Sequence, residues 1–279
     1  LANVVCDCLN MDCPQPDLND WIDMVQAWKN PKHKVQIALV GKYVSLHDAY
    51  ISVVEALKHG AVANNSEVEI KWVDSELISD YNVNEFLSDV DGIIVPGGFG
   101  DRGIEGMICA IRYAREQKIP YLGLCLGMQL TIVEFARNVV GLEDAHSNEF
   151  STKTTNPVIH IMPDKEGITN LGGTLRLGAY PCILADNSKA LELYGSKTIE
   201  ERHRHRYEVN NKYRDVLQEY GMLLSGFSPD GRIVEMIEIP DHPWFIGTQA
   251  HPEFKSRPNK PHPLFKGFLA AALEYQKRK

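Results

Sequence analysis

Cys125 sits at the centre of Gly123-Leu124-Cys125-Leu126-Gly127, directly after the apolar run Ile119 to Leu122. Glycine on both sides of a cysteine, where a strand ends and an apolar helix begins, describes a nucleophile elbow. Such a turn is so sharp that a flanking side chain would clash, and it presents the central side chain at the top of a sheet. The N-terminus of the following helix favours thiolate, the attacking form of the sulfur. A buried core cysteine can share this local composition, so the elbow needs a base. His251-Pro252-Glu253 offers one. In an extended segment residues i and i+2 face the same way, so the Glu253 carboxylate can orient the His251 imidazole while Pro252 stiffens the backbone. A thiol with a base oriented by an acid is the logic of acyl transfer. A surface His and Glu beside a proline is the competing reading. It weakens because the pair ends a predicted strand, on the sheet edge where Cys125 lies.

Gly98-Phe99-Gly100-Asp101-Arg102-Gly103 has the spacing G-x-G-x-x-G between a strand and a helix. In a first βαβ unit that spacing marks a dinucleotide site. Here the unit is a later one, and the next strand ends in Gly123-Leu124-Cys125 where the fingerprint wants an acidic residue, which disfavours NAD and FAD. Gly97 and Gly98 are better used to bring backbone N–H groups up to a reacting carbonyl, as an oxyanion hole does. No G-x-x-x-x-G-K-[ST] occurs, so the chain carries no Walker-type ATP site. His203-Arg204-His205-Arg206 reads first as a solvated basic loop. Beside a thiol site it could instead lend one guanidinium to a substrate carboxylate. Glu149, after the elbow helix, could receive a substrate ammonium.

The elements that must position these residues follow from periodicity. Strands are predicted at Val35 to Val40, Val68 to Val73, Asp91 to Val95 and Ile119 to Leu122. Helices are predicted at about Asp48 to Val62, Ile104 to Glu116 and Met128 to Ala136. This alternation implies a mostly parallel twisted sheet flanked by helices, with ligands gathering at the carboxyl ends of the strands. After Gly141, short β-rich pieces (Val158 to Met162, Thr174 to Leu177, Leu223 to Phe227, Ile233 to Ile239) suggest hairpins or an added antiparallel β portion. A last strand, Trp244 to Thr248, runs into the His-Pro-Glu segment, and a helix at about Leu264 to Gln276 closes the chain.

Residues 1–34 read as a linker or junction, with one short amphipathic helix marked by Trp21, Met24, Val25 and Trp28. Cys6, Cys8 and Cys13 crowd this region, but a metal site would want a fourth ligand and the nearest histidine after them is His33, so no metal is expected. The 279 residues can bury a full core, and the formal net charge of −8 argues against nucleic acid or an anionic membrane as partner. No apolar run reaches membrane-span length. Six cysteines without a regular framework read as the reduced thiols of a cytoplasmic protein.

Over about residues 35–279 the chain resembles the glutamine amidotransferase domains of CTP synthases, within the class I (triad) glutaminases. Gly-Leu-Cys-Leu-Gly-Met-Gln at 123–129 and His-Pro-Glu at 251–253 are similar to the general class I marks. The narrower likeness rests on Val40-Gly-Lys-Tyr43, Pro96-Gly-Gly-Phe-Gly-Asp-Arg-Gly103, Leu171-Gly-Gly-Thr-Leu-Arg-Leu-Gly178 and Glu201-Arg-His-Arg-His-Arg-Tyr-Glu-Val-Asn210. The resemblance implies a flavodoxin-like α/β core, with Cys125 as nucleophile, His251 as base and then acid, and Glu253 as its orienter. It further implies an oxyanion site at Gly98 and the Leu126 backbone, and a substrate site at Gly127, Met128, Gln129, Glu149 and Arg206, where the last three hold the amino-acid end of L-glutamine.

By the same resemblance the reaction runs through a γ-glutamyl thioester, and the ammonia passes to an amidoligase domain that aminates ATP-activated UTP to CTP. Residues 1–34 would join that domain, which lies outside this chain, and alone the chain would hydrolyse glutamine without making CTP. No cofactor is implied for this chain. ATP, Mg2+ and the activator GTP belong to the full enzyme, a tetramer in this reading, with Arg102 where the family places residues linked to the GTP response. One departure stands out: Ala250 occupies a position that is usually aromatic before His-Pro-Glu. The alternatives are a free-standing class I glutaminase or γ-glutamyl hydrolase, and a catalytically silent regulatory module. An α/β-hydrolase with a cysteine elbow is disfavoured because its acid precedes its histidine, whereas Glu253 follows His251.

Overall fold

A computed structural model describes residues 2–161 and 175–279. The strand at β1 (His33–Gly41) carries the uninterrupted apolar run that a sheet covered on both faces requires. Val35, Ile37 and Leu39 point to one face, against α3 (Ile51–Val62) and α9 (Pro263–Arg278). Ala38 and Val40 point to the other, against α4 (Val83–Leu87), α5 (Ile104–Glu116) and α6 (Leu126–Phe135). Each large aliphatic residue buried in this way contributes about 1.5–3 kcal/mol. That two-sided burial holds the strand ends rigidly enough to carry a site.

Around β1 lie β2 (Ser66–Asp74) on one side and, on the other, β3 (Gly92–Val95), β4 (Tyr121–Leu124) and β12 (Phe245–Thr248), all parallel. The sheet then continues antiparallel through β11 (Val234–Glu238), β10 (Leu223–Phe227), β7 (Arg176–Leu184) and β8 (Thr198–His205). Among the described residues this gives nine strands in the order β2-β1-β3-β4-β12-β11-β10-β7-β8. The antiparallel addition expected after Gly141 is therefore an extension of the same sheet. A second sheet of three short strands, β5 (His146–Ser147), β6 (Pro157–Ile161) and β9 (Tyr207–Val209), packs beside α6 and was not foreseen. Short helices α7 (Lys189–Tyr194) and α8 (Arg214–Glu219) fill the connections.

Two boundaries moved in ways that matter. The elbow strand is Tyr121–Leu124 rather than Ile119 to Leu122, because Ile119 donates its N–H back to the carbonyl of Ala114 at the end of α5. The following helix starts at Leu126, immediately after Cys125. Near the N-terminus, α1 (Ala2–Cys8) and α2 (Asn19–Lys29) contribute no buried residue, and residues 2–34 as a whole stay outside the core. Residues 162–174, which include Met162 and the first four residues of the Leu171–Gly178 stretch, lie outside the described residues. Among those described, no helix is long and apolar enough to cross a membrane, and no group of His, Cys, Asp and Glu is arranged to hold a metal ion.

Candidate active site

Cys125 has φ 49° and ψ −98°, a backbone conformation that side chains other than glycine rarely adopt. Such strain costs about 1–3 kcal/mol and persists only where the surroundings over-determine it. Here they do. Cys125 N donates to Thr248 O at 2.7 Å, and Gln129 N donates to Cys125 O at 3.1 Å. A Cβ on Gly123 would lie 2.8 Å from the carbonyl carbon of Gly127, and one on Gly127 would lie 2.1 Å from Val95 O. Both elbow glycines are thus required by close backbone approach, the first to α6 and the second to β3.

His251 arrives on the neighbouring strand. Register pairs Thr248 of β12 with Leu124 of β4, so the chain beyond each strand emerges side by side. His251 N donates to Arg202 O of β8 at 2.8 Å, and His251 Nδ1 meets Glu253 Oε1 at 2.7 Å. The acid does not reach the ring through an extended segment, as the two-residue spacing suggests. Pro252–Lys255 is a 3-10 turn that folds Glu253 back under the imidazole. Phe254 in this turn stacks on His251 with ring centroids 5.6 Å apart, an aromatic neighbour on the C-terminal side where Ala250 gives none. On the opposite side is the Gly-rich loop. A Cβ on Gly97 would fall 2.9 Å from His251 Cε1 and 3.6 Å from Cys125 Cβ.

Burial alone would lower the His251 pKa. Cys125 and Glu253 outweigh it and push the ring up to about 10, so the resting site keeps its proton on the imidazole. Nε2, the nitrogen not facing Glu253, is buried, has no nitrogen or oxygen partner, and faces the Cys125 sulfur. A proton held there, next to a sulfur and away from water, is positioned for delivery to a leaving group.

A pocket of ≈ 20 Å³ opens from Cys125, with space for about one water. Gly98, Leu126, Gln129, Glu149 and Arg206 all line it. The Leu126 amide belongs to the first turn of α6, where N–H groups have no intrahelical acceptor. Gly127 and Met128 do not line the pocket: Gly127 packs on Val95, and the Met128 side chain is buried against Gly247 of β12. Burial raises the Glu149 carboxyl, while Arg206 and Lys42 oppose that rise. An acid and a guanidinium on one pocket wall can receive the ammonium and carboxylate of an amino acid.

Three contributions to the site escaped the sequence reading. Lys42 is buried, and its ammonium donates to Phe99 O at 3.0 Å and to Gly100 O, stapling the Gly-rich loop over the site. Arg102 braces the same loop by donating to Lys42 O at 2.7 Å and pairing with Glu76. His205 lines the pocket as a neutral ring: burial, helped by His203 and Arg176, drives its pKa far down, and its Nδ1–H donates to Tyr207 O at 3.0 Å. The basic run at 203–206 is therefore no solvated loop. It is the end of β8, with His203 and His205 turned inward and Arg202 and Arg204 outward. A two-residue alternation of histidine and arginine was the available signal, masked because the inward residues are polar.

A family model for class-I glutamine amidotransferases matches residues 45–271. CTP synthase of Clostridium beijerinckii is 60% identical over 279 residues, covering all of this chain and 52% of its own length. CTP synthase of Ruminiclostridium cellulolyticum is 59% identical over 276 residues, 99% of this chain and 52% of its own. The chain thus spans about half the length of the curated relatives it matches. Among solved structures, the glutaminase domain of Trypanosoma brucei CTPS with bound acivicin superposes with a TM-score of 0.81 at 39% identity, over 86% of this chain and 94% of that one. A GMP synthase protein from Thermoplasma acidophilum, at 17% identity and a TM-score of 0.55 over 88% of this chain and 96% of that one, shares the fold alone.

Proposed function

The chain belongs to the class-I glutamine amidotransferases, within them to the glutaminase domains of CTP synthases, and on that premise we propose that Cys125, His251 and Glu253 hydrolyse L-glutamine to glutamate and ammonia. The observation that carries this reading is the convergence at two adjacent strand ends. A cysteine at φ 49° opens a helix beside a histidine whose Nδ1 lies 2.7 Å from a carboxylate.

In the first half-reaction the Cys125 sulfur adds to the γ-carbonyl carbon of glutamine. The developing oxyanion is met by the amides of Gly98 and Leu126, donors whose removal typically costs on the order of 10²–10³ in rate. The His251 imidazolium gives its Nε2 proton to the departing nitrogen, which leaves as ammonia, and a γ-glutamyl thioester remains. In the second, neutral His251 takes a proton from water as its oxygen adds to the thioester. The C–S bond breaks, and glutamate leaves. Glu253 holds the imidazole orientation throughout and stabilises its charged form. Glu149 takes the substrate ammonium, Arg206 its carboxylate, and the Gln129 carbonyl adds an acceptor.

The longer relatives supply the wider reading. The ammonia serves amination of UTP to CTP in an amidoligase domain joined through residues 1–34, in a cytoplasmic, tetrameric enzyme. ATP and Mg2+ act there, and GTP activates the full enzyme, with Arg102 of the Gly-rich loop the residue of this chain linked to that response. Ammonia release from glutamine, compared with Cys125→Ala, tests the chemistry, and mass-spectrometric labelling by acivicin tests the nucleophile. Release that survives the substitution, or acivicin attached elsewhere, would refute the assignment. Stimulation of release by an added amidoligase domain separates this reading from a free-standing glutaminase.

A further inference from the structure

We propose that Gln249 is a catalytic residue of this site, its side-chain amide donating a hydrogen bond to the Cys125 sulfur. The proposal rests on the reading of Cys125 as nucleophile and adds a group to it. Gln249 follows β12 directly, is completely buried, and brings its Nε2 to 3.5 Å from Cys125 Sγ.

The orientation of this amide is determined by its neighbours. Gln129 Nε2 lies 3.0 Å from Tyr207 O and 3.1 Å from Gln249 Oε1. A backbone carbonyl only accepts, so the Gln129 NH2 group must face Tyr207, and its second hydrogen then points at Gln249. Turning the Gln249 amide over would set NH2 against NH2. Its oxygen therefore faces Gln129 and its N–H faces the sulfur. The backbone is held as well: Gln249 N donates to Glu235 O at 2.8 Å, and the Glu235 carboxylate accepts from Arg176 at 2.5 Å. A buried side chain anchored at both ends and aimed at a reacting atom is preorganised.

The chemistry follows from where the sulfur carries charge. Hydrogen bonds to ionised acceptors are roughly twice as strong as neutral ones, so this N–H binds thiolate more tightly than thioester sulfur. It favours the attacking form. It helps more in the second half-reaction, where water gives a proton to His251 and adds to the thioester carbonyl. The C–S bond then breaks with its electron pair left on Sγ, and the Gln249 N–H meets that pair. Gln129 acquires a double role, because one hydrogen of its NH2 is fixed by Tyr207 O, the other holds Gln249, and its oxygen is left for the substrate.

The test is alkylation of Cys125 by iodoacetamide between pH 5 and 9, read by mass spectrometry of the Cys125 peptide, in the parent chain, Gln249→Met and Gln249→Glu. The other ionisable groups around the sulfur (His251 with Glu253 behind it, and Glu149, Arg204, His205 and Arg206 on the pocket wall) are unchanged in all three. Loss of a hydrogen bond to a charged group slows Gln249→Met about ten-fold at pH 7, displaces its profile to higher pH, and displaces Gln249→Glu further. Under turnover kcat falls, KM stays within about two-fold, and γ-glutamyl thioester accumulates on acid quenching. A folded Gln249→Met chain with the parent profile and kcat, or one in which only KM rises, overturns the proposal. So does failure of both variants to fold, which would make Gln249 a core residue only. If Cys125 of the parent chain reacts no faster than exposed Cys8, the nucleophile reading itself fails, a distinct result.

Discussion

Of the histidine–carboxylate pairs among the described residues, two largely buried ones are twins by distance. His251 Nδ1 meets Glu253 at 2.7 Å, and His262 Nε2 meets Glu201 at 2.8 Å. The difference lies in the second nitrogen. His262 Nδ1 accepts from Leu264 N at 3.3 Å and caps α9, so both ring nitrogens are committed to structure. His251 leaves Nε2 with no nitrogen or oxygen partner and with the Cys125 thiol for a neighbour. Burial would raise the Glu201 carboxyl, but the hydrogen bond from His262, the charge of Lys255 and the Tyr194 hydroxyl bring it below its usual range, as expected of a carboxylate held for structure. Cavity size points the wrong way: ≈ 560 Å³ opens beside His262 and ≈ 20 Å³ beside Cys125. A histidine–carboxylate pair becomes chemistry when one nitrogen is left unspent next to a nucleophile.

The strongest way to break the comparison is to remove the proposed nucleophile. Cys125→Ala should lower ammonia release by about 10⁴-fold or more without changing the thermal midpoint. Next is a matched pair of substitutions. Glu253→Gln should cut turnover by about 10²–10⁴-fold. It should also move the alkaline limb of the pH–rate profile down from near pH 10, since the carboxylate helps hold the proton on His251. Glu201→Gln should leave that limb in place and instead cost about 1–3 kcal/mol of stability, measured by denaturant unfolding. An equal shift of the limb in both variants would erase the distinction. Arg206→Ala, on the pocket wall, should raise the glutamine KM about ten- to a hundred-fold with a smaller effect on kcat, through loss of one charge-assisted hydrogen bond. Gly127→Ala sharpens the local side of the argument. A methyl group 2.1 Å from Val95 O must push α6 away from β3, costing about 1–3 kcal/mol and some turnover.

Much of the parallel half was legible because its signals are short-range. Apolar runs ending in glycine marked β1, β3 and β4, and the helix of Ile104–Glu116 was read with its observed limits. The antiparallel half was read only in fragments. In β8 the inward positions are Glu201, His203 and His205, which meet Tyr194 of α7 and His262 before α9, Glu235 of β11, and Tyr207 O of β9 respectively. A polar residue buried against a distant polar residue leaves no hydrophobic period to detect. The Lys42 staple was invisible for the same reason, since its acceptors lie more than fifty positions away.

By itself the sequence determined the elbow at Cys125 and the two-residue spacing of His251 and Glu253, because glycine tolerance and turn geometry act within a few residues of backbone. Only the tertiary structure set that His251–Glu253 pair beside the Cys125 thiol. The placement depends on β4 and β12 lying in register so that Leu124 pairs with Thr248, a neighbourhood created by burying both faces of one sheet.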